Sequence, residues 1–339
     1  MIIKSRAYPR AALIGNPSDG YFGKTIAFVL RNYCAEIELY ETPELELLPA
    51  ERDETIFNSI EHLVDDVHLY GYYGGIRLLK ATVKRFYDFC RLHSITLDER
   101  NFTIRYRTDI PNRLGMAGSS AIITAALRGL TQFFGIQISR PLFANLVLSV
   151  EKEELGIQAG LQDRVAQAYN EPVFMDFDYN HMMQHGYGIY TPIRIPSDLN
   201  LYIAYRTDLA EGSEILHSRL REDYDSGKPE ILAAIREWAE LTEYVGECLR
   251  DHKYEHLSAY INRNFDLRCE VCGDSVSPKN RRMVDIARKA GASAKFTGSG
   301  GAIIGTYEDE EMFRNLQQKL REFSVEVIKP DIVTEGNTP

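Results

Sequence analysis

The sequence has few cysteines and no long apolar run. Its five cysteines are scattered, and such an odd, sparse set is typical of reduced thiols rather than of a disulfide framework. No apolar run approaches the roughly 18 residues that a membrane-spanning helix needs, and residues 1–10 lack the apolar core of a secretion signal. We therefore expect a cytoplasmic protein that has no membrane partner.

An excess of positive charge is also missing. The formal net charge is -10, which argues against nucleic acid as a partner on bulk electrostatics. Hydrophobic residues make up 44% of the chain and charged residues 26%, as in ordinary folded proteins. The length of 339 residues exceeds what one hydrophobic core usually supports, so we predict two domains.

Segments with strand character alternate with helical segments along the chain. Apolar runs and two-residue alternation predict strands at Ala11–Ile14, Ala35–Tyr40, Phe102–Arg107, Val173–Phe177, Leu201–Arg206 and Val325–Ile328. Helical spacing predicts helices at Ile76–Cys90, Ala121–Phe134, Pro141–Glu154, Pro229–Arg250, Tyr254–Asp266, Pro278–Ala290 and Asp309–Phe323. This alternation favours an α+β architecture in both halves. We place the domain boundary in the Gly/Pro-containing passage 186–196, which gives domains of residues 1–190 and 191–339.

The strongest chemical signal is a glycine- and serine-rich turn before an apolar helix. Residues 115–120 read Gly-Met-Ala-Gly-Ser-Ser. Glycines let the backbone approach a ligand closely, and the first turn of the helix offers unpaired N–H groups to an anion. The hydroxyls of Ser119 and Ser120 add ligands that suit phosphate or Mg²⁺. An ordinary capped helix after a turn is the alternative explanation.

Two other glycine segments carry weaker signals. Residues 18–25 miss a Walker A motif at its first glycine, and Tyr21 and Phe22 are bulky for a phosphate cradle, so we do not expect a P-loop. Residues 295–302 read Lys-Phe-Thr-Gly-Ser-Gly-Gly-Ala. That loop fits either a second anion-binding loop or a glycine-rich hairpin.

Acidic residues gather where a helix should end. Glu151, Glu153 and Glu154 lie at the C-terminal end of a predicted helix, where the macrodipole disfavours negative charge. Asp163 follows shortly after Gly160. This placement favours a metal site for some of these carboxylates. For Glu153 and Glu154 a solvated surface is the favoured interpretation, because most such charges are exposed.

The ordered set of segments resembles the motifs of the GHMP kinase superfamily. Pro9-Arg10 with the loop 15–19 is similar to the first motif, residues 115–120 to the second and residues 298–301 to the third. Met116 and Ala117 replace a leucine and a glycine of the second motif, and alanine is small enough for a close turn. Within the superfamily the sequence resembles plant-type glucuronokinases over nearly its whole length. The segments that carry this likeness are 14–19 with 21–23, 71–75, 160–167, 188–192, 262–268 and 295–302.

The resemblance implies a fold and a set of roles. The fold would be α+β, with a βαβ-containing N-terminal domain and a ferredoxin-like C-terminal domain. ATP would be bound by Gly115, Ala117, Gly118, Ser119, Ser120, Gly298, Ser299 and Gly300. Ser120 and Glu151 would be the Mg²⁺ ligands. Asp163 would act at the acceptor hydroxyl as base or orienting group, Arg10 would stabilise charge there, and Asp19 would hydrogen-bond the sugar.

The resemblance also implies that the acceptor is the anomeric hydroxyl of glucuronate. A planar guanidinium suits the carboxylate of a sugar acid, and the candidate arginines are Arg77, Arg164, Arg206 and Arg268. We place Arg268 in the predicted substrate site, with Tyr72 and Tyr73. This tyrosine pair fits stacking on a sugar and fits a helix entry packed on the core equally well.

Two alternatives remain open at this stage. One is a GHMP kinase for another acceptor, such as a neutral sugar, a heptose phosphate or a mevalonate-like alcohol. The other is a catalytically silent regulator that binds a sugar. The presence of Glu151, Asp163 and both serines argues against the second alternative. The sequence does not indicate an oligomeric state.

Overall fold

The computed structural model describes residues 2–50, 53, 57–60, 62–63, 74–111, 114–208 and 214–332. The chain forms two compact units that interleave along the sequence. The first unit consists of Met1–Pro9, Tyr33–Asn112 and Ala117–Ala168. The second consists of Arg10–Asn32, Arg113–Met116 and Tyr169–Pro339.

Strands and helices are spread over the whole chain. The strands are β1 (Ile2–Ala7), β2 (Arg10–Ile14), β3 (Lys24–Val29), β4 (Ala35–Thr42), β5 (Glu46–Leu48), β6 (Asn101–Thr108), β7 (Val173–Asp176), β8 (Ile189–Pro192), β9 (Leu201–Arg206), β10 (Lys295–Phe296), β11 (Ala302–Thr306) and β12 (Val325–Ile328). The helices are α1 (Gly75–Leu92), α2 (Gly118–Phe133), α3 (Arg140–Ser149), α4 (Leu161–Tyr169), α5 (Tyr179–His185), α6 (Glu214–Asp225), α7 (Pro229–Asp251), α8 (Leu257–Cys272), α9 (Pro278–Lys289) and α10 (Glu310–Arg321).

The first unit is one four-stranded sheet covered by helices. Its strand order is β1-β4-β6-β5, in which β5 pairs parallel with β6 and the other pairs are antiparallel. Ala35, Ile37 and Leu39 of β4 are buried and alternate with less buried residues, as expected when one face of a sheet packs on a core. The largely apolar helix α2 packs on β1 and β4 and supplies much of that core.

The other face of this sheet carries a row of charges. Lys4, Glu38 and Arg105 lie directly opposite one another on β1, β4 and β6. Lys4 contacts Glu38 at 2.8 Å, and Arg105 donates to it at 2.5 Å. These two cations lower the pKa of Glu38 to about 2.

The second unit contains two antiparallel sheets. One has the strand order β2-β3-β7-β8 and the other β10-β11-β9-β12. In the second sheet, β9 is followed by helices, then by the β10–β11 hairpin, helix α10 and β12. A strand, helices, a hairpin, a helix and a last strand, in a sheet of order β10-β11-β9-β12, make up the ferredoxin-like arrangement. The predicted fold is confirmed. Trp238 of α7 is fully buried, and its indole donates to Asn264 O of α8 at 3.0 Å.

The elements predicted from the pattern are present, with local differences. Helix α3 ends at Ser149 and continues as a wider π-type turn, Val150–Glu154. The predicted boundary passage includes β8, which pairs with β7 inside the second unit. The division between residues 190 and 191 stays a prediction. In the part of the chain that the structure describes, helices fall short of the length and apolarity needed to span a bilayer.

Candidate active site

Arg10 belongs to the segment that resembles the first motif and contacts the segments that resemble the second and third. It opens β2 and is buried. Its backbone N–H donates to Met116 O at 3.0 Å, and its guanidinium donates to Thr297 O. Three segments that are far apart in sequence therefore meet within the second unit.

The first loop, residues 15–19, is fixed by asparagines. Gly15 has φ of +92°, and a Cβ there would lie 2.1 Å from a backbone oxygen, so only glycine fits. Its N–H donates to Asn264 Oδ1 at 2.7 Å, and Asn264 Nδ2 donates to Asn16 O at 3.0 Å. The Asn16 amide in turn donates to Phe296 O and Gly298 O, each at 3.3 Å. Helix α8 thus fixes the first loop against the third.

The third loop, residues 297–301, packs closely on the second. A Cβ on Gly298 would lie 2.4 Å from Gly115 O, so the two backbones touch. Arg268 of α8 binds this loop from inside the unit, donating to Gly298 O at 2.8 Å and to Ser299 O at 3.1 Å. Its guanidinium lies 5.1 Å from the centroid of the Phe296 ring. Arg268 is therefore a component of the loop's architecture.

The second loop ends at the N-terminus of α2. Ala117 adopts a left-handed conformation with φ of 61°. The carbonyl of Ala117 accepts the buried hydroxyl of Ser120 at 3.1 Å and the amide of Gln167 at 3.0 Å. Ser119 is exposed in the first turn. Because the first N–H groups of a helix have no partner within the helix, this turn suits an anion.

Two acidic residues of the first unit, Glu151 and Asp163, contact the same arginine. Arg164 Nε donates to Glu151 Oε2 at 2.6 Å, and a second nitrogen contacts the same oxygen. Its Nη1 donates to Asp163 Oδ2 and to Gly160 O, each at 3.0 Å. Burial raises the pKa of the Glu151 carboxyl, and the adjacent guanidinium opposes that rise. The two predicted functional carboxylates therefore lie together and share a counter-ion.

Glu153 and Glu154 pair with cations of α1. Arg85 contacts Glu153 at 2.7 Å, and Lys84 contacts Glu154 at 2.6 Å. The Glu153 side chain is 61% exposed. The Glu153 charge therefore belongs to a solvated face, whereas the Glu154 side chain is only 18% exposed.

The donor set suits Mg²⁺. Ser120 and Glu151 offer a hydroxyl and a carboxylate, which are the oxygen ligands that Mg²⁺ prefers. Arg164 contacts Oε2 of the Glu151 carboxylate. Within the described ranges no three acidic, histidine or cysteine side chains gather as a metal cage. Mg²⁺ is usually held by one or two carboxylates together with substrate phosphates.

The four candidate arginines have different surroundings. Arg164 is paired with Glu151 and Asp163. Arg206 forms a two-point contact with Asp208, at 2.7 and 2.8 Å. Arg77 is exposed at the start of α1. Arg268 is 3% exposed and, among the described residues, has no carboxylate within 4.0 Å.

Of the residues predicted to bind the sugar, the structure describes Asp19 but not the tyrosine pair. Tyr72 and Tyr73 lie outside the described residues. Asp19 lies half-buried in a short 3₁₀ helix, Ser18–Tyr21. Burial lowers the pKa of Arg268, and the negative charge of Asp19 partly opposes this, which places Asp19 within electrostatic reach of Arg268.

Lys24 does not belong to a P-loop. It begins strand β3, whereas the lysine of a P-loop precedes a helix. Its ammonium contacts Asp176 at 2.9 Å and also Glu243. The Walker A interpretation is therefore excluded, as the missing glycine and the bulky aromatics indicated.

Sequence reasoning missed several polar residues that build the site. Asn264, Gln167 and Lys295 are buried and each binds backbone groups of the motif loops or of β2. One signal was available for each: a polar side chain in a stretch otherwise predicted to be buried. A buried polar group usually has a hydrogen-bond partner that fixes local structure.

Comparisons with known proteins agree with this arrangement. The model of the GHMP kinases N terminal domain matches residues 77–171, and that of the GHMP kinases C terminal domain matches residues 247–326. Glucuronokinase 1 of Arabidopsis thaliana is 40% identical over 306 residues, which cover 89% of this chain and 84% of that protein. Probable glucuronokinase 2 of the same plant is 42% identical over 311 residues, with the same two coverages.

A solved structure shows the same fold at low identity. Phosphomevalonate kinase of Streptococcus pneumoniae has a TM-score of 0.75 and 13% identity, covering 98% of this chain and 100% of that chain. At this identity the likeness concerns the fold alone.

Proposed function

Because the chain belongs to the GHMP kinase family, we propose that it transfers the γ-phosphate of ATP to the anomeric hydroxyl of D-glucuronate. It is a small-molecule kinase, and ATP is the phosphoryl donor of this family. The product would be glucuronate 1-phosphate, with ADP released.

The single observation that carries the choice of acceptor is the similarity to the two plant proteins. They are 40% and 42% identical to this chain over 89% of its length, and both are named as glucuronokinases. The segments quoted above as resembling that family include residues 160–167 and 262–268. Those segments carry Asp163 and Arg164, and Asn264 and Arg268.

The reaction would use the carboxylate of Asp163 at the acceptor. The anomeric oxygen forms a bond to the γ-phosphorus while the bond from that phosphorus to the β–γ bridging oxygen breaks. The hydroxyl proton passes to Asp163, and the electron pair leaves with ADP. Arg164 holds the Asp163 carboxylate by its hydrogen bond at 3.0 Å. Phosphoryl transfer depends mainly on positioning and electrostatic stabilisation, so this orientation is the contribution we expect from the pair.

The remaining predicted residues would bind the donor or act near the acceptor. We propose that Ser119 and the N–H groups at the start of α2 bind phosphate oxygens. Ser120 and Glu151 would hold Mg²⁺, which when bound neutralises charge on the phosphates. Arg10 would stabilise the charge that develops near the acceptor, and Asp19 would bind a sugar hydroxyl.

An acceptor panel tests this proposal. Purified protein with ATP and Mg²⁺ would be assayed for ADP release with D-glucuronate, D-glucose, D-galactose, a heptose phosphate and mevalonate. We expect kcat/KM to be highest for glucuronate. The product should also resist chemical reduction, because the phosphate on its anomeric carbon prevents ring opening to the aldehyde. Higher kcat/KM for a neutral sugar or for mevalonate would reassign the substrate. Binding of a sugar without any ADP release would favour the regulator.

A further inference from the structure

Two histidines share one face of the surface helix α5. His181 and His185 are four residues apart, a spacing at which helical side chains are neighbours. Their ring centroids are 4.4 Å apart, and the ring planes make an angle of 39°. Two imidazoles bound to one metal ion at a right angle have centroids about 4.5 Å apart, given metal–nitrogen bonds of about 2.0–2.1 Å. The two rings therefore already have the separation of a metal-bound pair.

The backbone that carries this pair is fixed at both ends of the helix. Asp178 caps the start, because its Oδ1 accepts the N–H of His181 at 2.9 Å. Gly186 ends the helix in a left-handed conformation with φ of 76°, and its N–H donates to Met182 O at 2.8 Å. A helix of seven residues is marginal on its own. The two caps therefore stabilise the helical spacing of the histidines.

A third aromatic ring lies beside both imidazoles. The chain turns at Gly186, and the ring centroid of Tyr187 lies 6.0 Å from that of His181 and 6.0 Å from that of His185. This neighbour restricts the side-chain rotamers that the two histidines can adopt. A pair that is ordered before binding loses less conformational entropy when a ligand binds.

The imidazole nitrogens are available to a ligand. Among the described residues, neither imidazole takes part in a hydrogen bond or an ion pair. His185 is exposed and His181 is half-buried, so solvent reaches the pair. Groups of three or more histidine, cysteine or acidic side chains placed to hold a metal are lacking in the part of the chain that the structure describes. The pair is therefore an open site with two protein ligands, unlike a closed structural zinc site with four.

We propose that His181 and His185 together bind one late divalent transition-metal ion, such as Cu²⁺ or Ni²⁺, through one nitrogen of each ring, with water in the remaining positions. Neutral imidazole suits these metals, and a right angle between two bonds is the angle of tetragonal Cu²⁺ and Ni²⁺ sites. Mg²⁺ prefers oxygen ligands, so this site does not compete for the metal of the proposed reaction. Its occupancy is independent of which sugar is the acceptor.

Titration of the full-length protein with metal ions tests this site. The protein is treated with EDTA, which is then removed, and is titrated in a calorimeter with Ni²⁺ and, separately, with Mg²⁺. Electron paramagnetic resonance of the protein with one equivalent of Cu²⁺ detects bound nitrogen atoms. The variants are His181→Gln and His185→Gln. The matched control is His256→Gln, since His252 and His256 are also four residues apart but lie in the turn between α7 and α8.

We expect the wild type to bind Ni²⁺, and Mg²⁺ to leave the histidine pair empty. Each single variant should weaken Ni²⁺ affinity by about 10²-fold or more, the lower end of the gain from linking two binding groups. His256→Gln should bind Ni²⁺ like the wild type. The Cu²⁺ spectrum should show coupling to two nitrogen donors in the wild type and in the control, and to fewer in either variant of the pair.

Three results would overturn the proposed site. Ni²⁺ affinity within about threefold of wild type in both variants, far below the effect of losing one of two linked ligands, would place the ion elsewhere on the protein. Loss in only one of the two variants would show a contact with a single imidazole. An equal loss in His256→Gln would show that helical spacing is not the cause. The replaced side chains are exposed or half-buried, so the variants should fold, which circular dichroism checks.

Discussion

The two compact units each bury a cluster of charged side chains, and the clusters balance their charge differently. In the first unit, Arg164 lies between the carboxylates of Glu151 and Asp163. In the second, Arg268 and Lys295 bind backbone carbonyls, and among the described residues no carboxylate lies within ion-pair distance of them. The first cluster pairs a cation with carboxylates, whereas the second pairs its cations with carbonyl oxygens.

This difference has an energetic consequence. A buried ion pair costs desolvation energy, and removal of one partner leaves an uncompensated charge. A buried cation that binds only carbonyls pays the same desolvation cost without Coulombic compensation. Removing Arg164 should therefore destabilise the first unit more than removing Lys295 destabilises the second.

The largest effect on stability is expected for Arg164→Met. The variant leaves the Glu151 carboxylate, which is 2% exposed, without its cation. Removal of one partner of a buried pair costs about 3–5 kcal/mol. Urea denaturation measures the free energy of unfolding, and the double variant Arg164→Met/Glu151→Leu should recover most of the loss. A single variant as stable as the wild type would show that the first cluster is not a coupled pair.

The next effect concerns turnover. Asp163→Asn keeps the shape of the side chain but cannot accept the acceptor proton, so kcat for glucuronate should fall about 10²-fold, the lower part of the range for a general base. AMP-PNP affinity should be unchanged. Asp88→Asn, which removes a surface partner of Lys84, is the matched control and should retain full activity. A kcat within about threefold of wild type, well below the range for a general base, would remove Asp163 from proton transfer.

Lys295→Met tests the second cluster by stability. Burial holds the pKa of Lys295 well below its ordinary value of 10.5. Between the lowered folded value and 10.5 the unfolded chain binds more protons, so the wild type should gain stability as the pH rises through this window. Methionine carries no proton. We therefore expect the variant to be as stable as the wild type or about 1–2 kcal/mol more stable at pH 7, as when buried charges are replaced by apolar groups.

The measurement is the urea midpoint of both proteins at pH 7.5, 8.5 and 9.5. The advantage of methionine should shrink toward the highest pH. A variant that loses several kcal/mol at every pH would instead show that the two hydrogen bonds of Lys295, to Ala12 O and Phe296 O, outweigh the cost of its burial.

The smallest effect is expected at Lys24, whose charge is compensated at a half-exposed site by Asp176 and Glu243. Such pairs contribute roughly 0–1 kcal/mol. Lys24→Ala should therefore leave ATP KM and kcat within about threefold of wild type, consistent with that small energy. Ser120→Ala, by comparison, should cripple turnover. If Lys24→Ala abolished nucleotide binding while Ser120→Ala was active, the donor site would have to be moved to the Walker-like segment, residues 18–25.

Sequence patterns alone located most of the secondary structure and all three motif loops. Apolar periodicity identified β4, β6 and α1, because burial of one face is a local property of the chain. Glycine spacing identified the loops around Gly15 and Gly298, where the structure has no room for a Cβ. The extent of α3 was overestimated, because the change from α-helical to π-type hydrogen bonding after Ser149 leaves the apolar pattern unchanged.

Tertiary structure decided the partners of the charged residues. Composition and spacing treated Arg77, Arg164, Arg206 and Arg268 as equivalent candidates for a carboxylate. The fold gave Arg164 two carboxylates and Arg206 one, and placed Arg268 against the carbonyls of a loop 30 residues further along the chain. An ion pair forms between side chains that packing brings within about 4 Å. That distance depends on how helices and loops remote in sequence are arranged, which no local pattern of residues records.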